Sequence, residues 1–274
     1  MHFFDLPLEK WTNQFIFNWL LPTLGPFFDY ISGHLDSILG TFIDFIVWIP
    51  AWLSALIIVG LAYRLAGLRV AIFSVIGLLY IGSVDLWVAA MQTLAVVLNA
   101  TVFSIVIGIP LGIWAAKSDR ANSIIKPILD FMQTLPSFVY LIPSILLFGV
   151  GGVPAVFATF VFATPPAVRL TSLGIRQVPK EVVEAARAFG STGWQMLVKV
   201  QLPLAAKTIM TGVNQTIMLA LSMAVISAMI GSPGLGSKVL AGITQVNVGM
   251  GLEAGLGIVV LAIILDRITA GLGR

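Results

Sequence analysis

The sequence predicts an all-α, polytopic membrane protein with about seven transmembrane helices, and three observations carry that prediction. Of 274 residues, 58% are hydrophobic and only 10% charged, with a mean hydropathy of +1.02; a soluble domain carries about 25% charged residues. Apolar stretches recur near residues 45–63, 70–87, 88–116, 124–150, 153–173, 208–230 and 254–271, most of them close to the ~20 residues that a hydrocarbon core requires. Lysines and arginines collect in alternate connections, the bias expected of cytoplasmic loops.

Residues 1–44 form the first unit. Trp11, Phe15, Trp19, Phe27, Phe28 and Tyr30 are mixed with Asp29, Asp36 and Asp44, and Pro22, Gly25 and Pro26 interrupt the pattern. This composition predicts short amphipathic helices on the outer face of the membrane, with aromatic rings at headgroup level. The opening MHFFDLPLEKWTNQ has no basic n-region, compact apolar core or small-residue cleavage site, so it is not read as a signal peptide.

Residues 45–87 supply two spans with Arg64 and Arg69 between them, and residues 88–274 form the core. Gly108, Pro110 and Gly112 are expected to bend the third span, and Pro136 and Pro143 the fourth. Lys117, Arg120 and Lys126 connect these two spans. Arg169, Arg176, Lys180, Arg187, Lys199 and Lys207 lie between spans five and six, and Arg267 and Arg274 follow span seven. Thirteen of the 15 cations then share one side, leaving Lys10 and Lys238 on the other. That bias places the N-terminus outside, the C-terminus inside and residues 174–207 in the cytoplasm.

Residues 179–203, PKEVVEAARAFGSTGWQMLVKVQLP, are the polar exception. Pro179 suits the start of a helix. Glu181 and Glu184 sit early in it and Arg187 late, as the helix dipole favours. Val182, Ala186 and Phe189 share one face by helical spacing. Gly190 supplies the left-handed residue that ends the helix, and Ser191 or Thr192 can cap a second helix running toward Leu202-Pro203. One face of this helix–turn–helix is expected to pack on the membrane helices and the other to meet the cytoplasm. The residues alone are also consistent with an interfacial linker that has no partner.

Glu184-Ala185-Ala186, then Gly190, then Leu202-Pro203 resemble the EAA motif of ABC-importer permeases. MQTLPSFVYLIP (132–143), RLTSLGIRQVP (169–179), GVNQTIMLALSMAVI (212–226) and GIVVLAIILDRIT (257–269) narrow the resemblance to the permease of glycine betaine/proline uptake systems, over roughly residues 86–271. The resemblance implies a type I ABC importer permease fold. It implies that Glu184, Ala185, Ala186, Gly190 and Pro203 belong to a coupling element seated in a cytoplasmic ATPase. Glu184 would make a charged contact there, Ala185 and Ala186 would permit close approach, and Gly190 would form the corner. It further implies a homodimer of permeases, two ATPase subunits inside, and a substrate-binding protein outside, in a bacterial inner membrane. The chain itself is expected to bind no cofactor, ATP and Mg²⁺ being used by the partner ATPase.

Gln133, Thr134, Ser137 and Tyr140 in span four, and Asn214, Gln215, Thr216 and Ser222 in span six, are polar groups at membrane depth. Such groups face a bundle interior or a pore, or make interhelical hydrogen bonds. Gln133, Thr134, Phe138, Tyr140, Asn214 and Gln215 are the candidate substrate path. No carboxylate is expected at mid-membrane, which suits a zwitterionic cargo, and Trp114, Phe138 and Tyr140 could hold an ammonium by their faces. Asp85, Glu253 and Asp266 fall near span ends, and Asp130 is expected to pair with Lys126 one turn away.

Several functions are disfavoured. GSPGLGSK (231–238) lacks the Gly-Lys-Ser/Thr order of a phosphate-binding loop, so the chain is not expected to hydrolyse ATP. His2 and His34 are the only histidines and lie outside the spans, which removes HExxH chemistry and intramembrane Ser–His pairs. There is no cysteine. The basic balance follows the loops and implies no nucleic-acid partner. Choline, carnitine or trimethylamine N-oxide are alternative cargoes, and an ion-coupled secondary transporter is the alternative from another class.

Overall fold

The computed structural model describes residues 7–273; His2 and Arg274 lie outside the described residues. The chain begins with α1 (Leu8–Phe15), a π-helical turn (Ile16–Leu20) and α2 (Leu21–Trp48). Together they form one continuous rod, where short helices broken at Pro22, Gly25 and Pro26 were expected. The π turn explains how the rod passes Pro22. A proline cannot donate to the carbonyl four residues back and its ring crowds that carbonyl; a wider turn at Asn18 relieves both. A second π turn (Met196–Gln201) precedes Pro203 in the same way. Pro26 lies inside α2 without ending it.

α3 (Ala51–Ala66) leaves α2 at 94°, and α4 (Leu68–Ser83) returns beside it after Gly67. α5 (Trp87–Lys117) runs 31 residues, about 46 Å at 1.5 Å per residue. Pro110, where a bend is expected, lies inside it without ending it. Gly108 and Gly112 are buried against α8 (Gly152–Arg176). A Cβ at Gly112 would lie 2.7 Å from the carbonyl oxygen of Val168, so the two helix backbones are nearly in contact.

The fourth expected span is broken in two. α6 (Asp119–Thr134) and α7 (Leu141–Phe148) are joined by Pro136 and a 3₁₀ turn (Ser137–Tyr140), with a 107° bend between the helical segments. Leu135 is extended, ψ 135°, as the residue before a proline must be. Pro143 sits in the first turn of α7, where no N–H is needed.

α9 (Lys180–Ala188) and α10 (Gly193–Gln195) form the polar corner. Through the second π turn, α10 continues into α11 (Leu202–Ile226) and a 3₁₀ turn (Ser227–Ile230). Residues 193–230 are therefore one 38-residue rod, and the second helix does not stop near Leu202-Pro203. α12 (Leu235–Thr244) and α13 (Val248–Leu272) complete the chain.

By length and apolarity, Trp87–Lys117, Gly152–Arg176, Gly193–Ile230 and Val248–Leu272 can each cross a membrane. Six spans result if each bent pair counts as one, and α4 is a shorter apolar helix. The seven expected spans thus map onto four unbroken helices, two bent pairs and α4. No strand occurs among the described residues.

The packing has two parts. One cluster joins α3, α4, α12, α13 and the start of α5 around Ala62, Ile81, Met91, Leu235, Leu261 and Ile264. The other joins α5, α8 and α11 around Val96, Val97, Ala100, Val156, Ala163, Ile217 and Ala220.

Candidate functional site

The corner between α9 and α10 is held by its own backbone. Gly190 has φ +78°, which favours glycine. Its N–H donates to the Arg187 carbonyl (2.9 Å) and that of Ser191 to the Ala186 carbonyl (3.1 Å). These are the two bonds of a Schellman ending. Thr192, not Ser191, caps the next helix. Its hydroxyl accepts from the Gln195 N–H at 3.3 Å, and the Gln195 side chain accepts from the Thr192 N–H at 2.9 Å, a reciprocal capping box.

Helical spacing then divides α9 in two. Lys180, Val183, Glu184 and Arg187 share the face that lines a cavity of about 620 Å³, with Lys117 and Arg176 opposite and Met196 and Gln201 at its side. Val182, Ala185 and Phe189 occupy the other face. Val182 is 40% exposed and Phe189 91%, while Ala186 is half-buried at the edge. Within α9 only Val183 and Ala186 are half-buried; the charged residues beside the cavity are exposed, and so is the apolar stripe. Trp194, just past the corner, is 71% exposed as well. Sequence reading missed it, although an aromatic residue at the start of a polar connection was the available signal. Exposed aromatic residues around a corner are what a protein–protein anchor provides. Pro203 is exposed on the rod just beyond the π turn.

The candidate path residues separate into fixed and free groups. Arg169 on α8 donates to both Gln133 and Asp130, the latter at 2.6 Å. Asp130 therefore pairs with Arg169 and not with Lys126; that ion pair ties α6 to α8. Thr134 bonds its own helix at the Phe131 carbonyl (3.0 Å). Tyr140 is buried, donates to the Met132 carbonyl and packs its ring edge-on to Phe162. Its position splints the bend between α6 and α7 and removes it as an open aromatic wall. Phe138 and Trp114 are exposed, and no ring stacking joins either to Tyr140 among the described residues.

Asn214 donates to Asp266 on α13 at 3.0 Å and accepts from the hydroxyl of Thr269. Gln215, one residue on, is exposed. It lies in a stripe with Lys207, Thr211 and Ser222, at spacings of four and seven, all exposed on one side of α11. The hydroxyls of Thr211 and Ser222 bond carbonyls of their own helix. Polar side chains on a spanning helix need a bundle interior or water, so this stripe faces something other than the chain's own packing. GSPGLGSK forms a glycine turn into α12, where the Leu235 N–H donates to the Thr93 hydroxyl at 2.8 Å.

Comparison with known proteins agrees with this architecture. A chain from the MetNI methionine ABC transporter, solved in inward-facing conformations, superposes with a TM-score of 0.63 over 68% of this chain and 93% of that one, at 21% identity. The fold is that of a type I ABC importer permease. The chain is 49% identical over 269 residues to the glycine betaine/proline betaine transport system permease protein ProW of Escherichia coli, covering 98% of this chain and 76% of the relative. It is 48% identical over 264 residues to the glycine betaine transport system permease protein OpuAB of Bacillus subtilis, covering 96% and 93%. Residues 108–274 match the family model described as binding-protein-dependent transport system inner membrane component. That match holds the corner, the broken span's bend and the polar stripe of α11, and the chain belongs to that family of inner-membrane transport components.

Proposed function

We propose that this chain is the permease of an ATP-driven importer for glycine betaine, proline betaine, proline or a closely related compatible solute. The observation that carries the proposal is the bare apolar face of α9 beside a rigid corner, continuous with a spanning helix. Val182, Ala185 and Phe189 form a seat for a cytoplasmic ATPase. Ala185 lets the two surfaces approach, and Glu184, exposed at the mouth of the cavity, is placed for a charged contact at its edge. Two permeases and two ATPases form the working unit, because each chain carries one corner. The polar stripe of α11 supports the same stoichiometry, since a second copy facing it would enclose a path.

In this reading ATP and Mg²⁺ are bound and used by the ATPase. Closure of the ATPase pair draws the corners together, and the 193–230 rod carries that movement into the membrane. Shifting a two-state equilibrium from 1:99 to 99:1 requires ~5.5 kcal/mol of differential binding. A substrate-binding protein delivers cargo outside. The N-terminus is outside and the C-terminus cytoplasmic, on the cation bias. The path is lined by Gln215 with Thr211 and Ser222, while Gln133, Thr134, Tyr140 and Asn214 shape its walls.

The test is uptake into proteoliposomes holding this chain, its ATPase and its binding protein. ATP-dependent accumulation of glycine betaine is expected. Hydrolysis stimulated by the binding protein without betaine uptake would keep the importer and move the cargo to choline, carnitine or trimethylamine N-oxide. Uptake that ignores ATP and collapses with an ionophore would make the chain a secondary transporter. Glu184→Lys is expected to abolish uptake while the protein remains in the membrane; near-normal uptake in that variant would remove Glu184 from the ATPase contact.

A further inference from the structure

Asp266 is a carboxylate inside a spanning helix, about 9 Å from the end of α13 at 1.5 Å per residue. Its side chain is 31% exposed. Its Oδ1 accepts from the amide of Asn214 on α11 at 3.0 Å. The Asn214 carbonyl oxygen accepts in turn from the hydroxyl of Thr269, which is only 7% exposed. Arg267 approaches the other carboxylate oxygen at 3.6 Å from the solvent side. Asn214 thus presents its donor to Asp266 and its acceptor to Thr269, bridging two side chains one turn apart on α13.

This clip stands where the two packing clusters meet. α11 belongs to the cluster with α5 and α8, and α13 chiefly to the cluster with α3, α4 and α12, with Ala262 and Leu265 reaching across to the α11 side. Among the described residues it is the only side-chain hydrogen-bond network between α11 and α13. α11 is also the rod that begins at the corner between α9 and α10.

We propose that Asn214, Asp266 and Thr269 are positioning residues that make α13, and with it α3 and α4, follow α11 when the corner moves. The inference rests on the importer reading above. The carboxylate is used here as an acceptor, not as a charge that meets cargo or protons. Neutral groups that preserve the acceptor therefore satisfy the clip. Asp266→Asn can accept from Asn214. The exchange Asn214→Asp with Asp266→Asn also closes, because the carboxylate moved to α11 would accept from both the new amide on α13 and the Thr269 hydroxyl. Asn214→Leu keeps the volume and opens the clip, and Thr269→Val removes one arm.

The experiment uses the full permease with its ATPase and binding protein in proteoliposomes. Because the chain has no cysteine, spin labels can be placed on cysteines introduced at exposed Ala206 of α11 and Ile263 of α13. A narrow distance distribution, unchanged by ATP, is expected for the parent, for Asp266→Asn and for the exchanged pair. Asn214→Leu is expected to broaden it and to lower uptake at least tenfold, while binding-protein-stimulated ATP hydrolysis stays within about twofold; Thr269→Val lies between. An unbroadened distribution in Asn214→Leu would overturn the proposal. So would Asp266→Asn losing uptake as fully as Asn214→Leu, which would make the charge itself the working group. The distance measurement needs no cargo, so a parent that shows neither glycine betaine uptake nor ATP hydrolysis stimulated by the binding protein refutes the importer reading and leaves this result to stand or fall alone.

Discussion

In the α5–α8–α11 core, glycines let helices touch; at the corner between α9 and α10, a glycine lets the chain turn and leaves its surroundings bare. Gly112 on α5 sits so close to α8 that a Cβ would meet the Val168 carbonyl oxygen at 2.7 Å and Thr171 at 2.6 Å. Gly212 on α11 is comparable, with Leu170 at 2.9 Å and the Pro166 carbonyl at 3.0 Å. At Gly190 a Cβ would meet nothing within 4 Å, and glycine is favoured only by φ +78°. Small residues in the core are bound to stability by close van der Waals packing, the main attraction between helices in lipid. Small residues at the corner, Ala185 among them, have no such neighbours inside the chain. Substitutions in the two regions should therefore fail in different assays.

Gly112→Leu breaks the comparison most severely. The added side chain cannot be absorbed by a flexible neighbour, because the nearest groups include backbone. Overpacking a well-packed interior costs about 1–3 kcal/mol and more where backbone must move. The expected outcome is loss of monodisperse protein after detergent extraction, with uptake lost in proportion. A variant that stays folded but inactive would place Gly112 in the moving machinery instead.

Phe189→Asp tests the other side. The ring is 91% exposed in the chain alone, so its removal should leave detergent stability unchanged. Burying a phenylalanine against a partner stabilises by about 2 kcal/mol, roughly a thirtyfold change in affinity. Titration of the purified ATPase against the permease should weaken by about that factor or more, since a carboxylate would also be desolvated. Equal affinity would remove the α9 stripe from the ATPase contact. A fall in stability would mean that Phe189 packs within the permease dimer.

The same contrast explains how much of the molecule was legible in its sequence. The corner was read closely. Pro179, Gly190 and a threonine cap act through local rules of backbone geometry, which need only a few adjacent residues. Apolar stretches located the membrane helices because burial in lipid is a property of composition. Partners in space were less accessible. Asp130 has a lysine one turn away in sequence, yet Arg169, 39 positions later, reaches it at 2.6 Å. Asn214 and Gln215 read identically as polar groups in an apolar run. One faces α13 and is fixed by Asp266; the other faces outward, and only the rotation of α11 in the bundle tells them apart. Proline was misjudged for a physical reason. Pro22 and Pro203 are each preceded by a π turn that absorbs the missing donor, whereas Pro136 follows an extended residue and no helix continues through it.

Thr192→Ala sharpens the comparison at its smallest scale. The capping box satisfies the first N–H groups of the 193–230 rod, and removing such a cap costs about 1 kcal/mol. A 38-residue rod packed against α5, α8 and α13 should not unfold for that amount, so extraction and melting behaviour should stay near the parent's. The loss should appear locally, as faster hydrogen exchange at the amides of Gln195 and Met196. Gly190 and its two Schellman bonds remain in place, so the turn itself survives. What softens is the joint between the turn and the rod, the path by which movement of α9 would reach the membrane. Uptake should fall two- to threefold at unchanged ATPase affinity, because the Val182–Phe189 face is untouched. Unchanged uptake with faster exchange would mean that the joint need not be rigid, and that the ATPase acts on the rod directly, through Trp194.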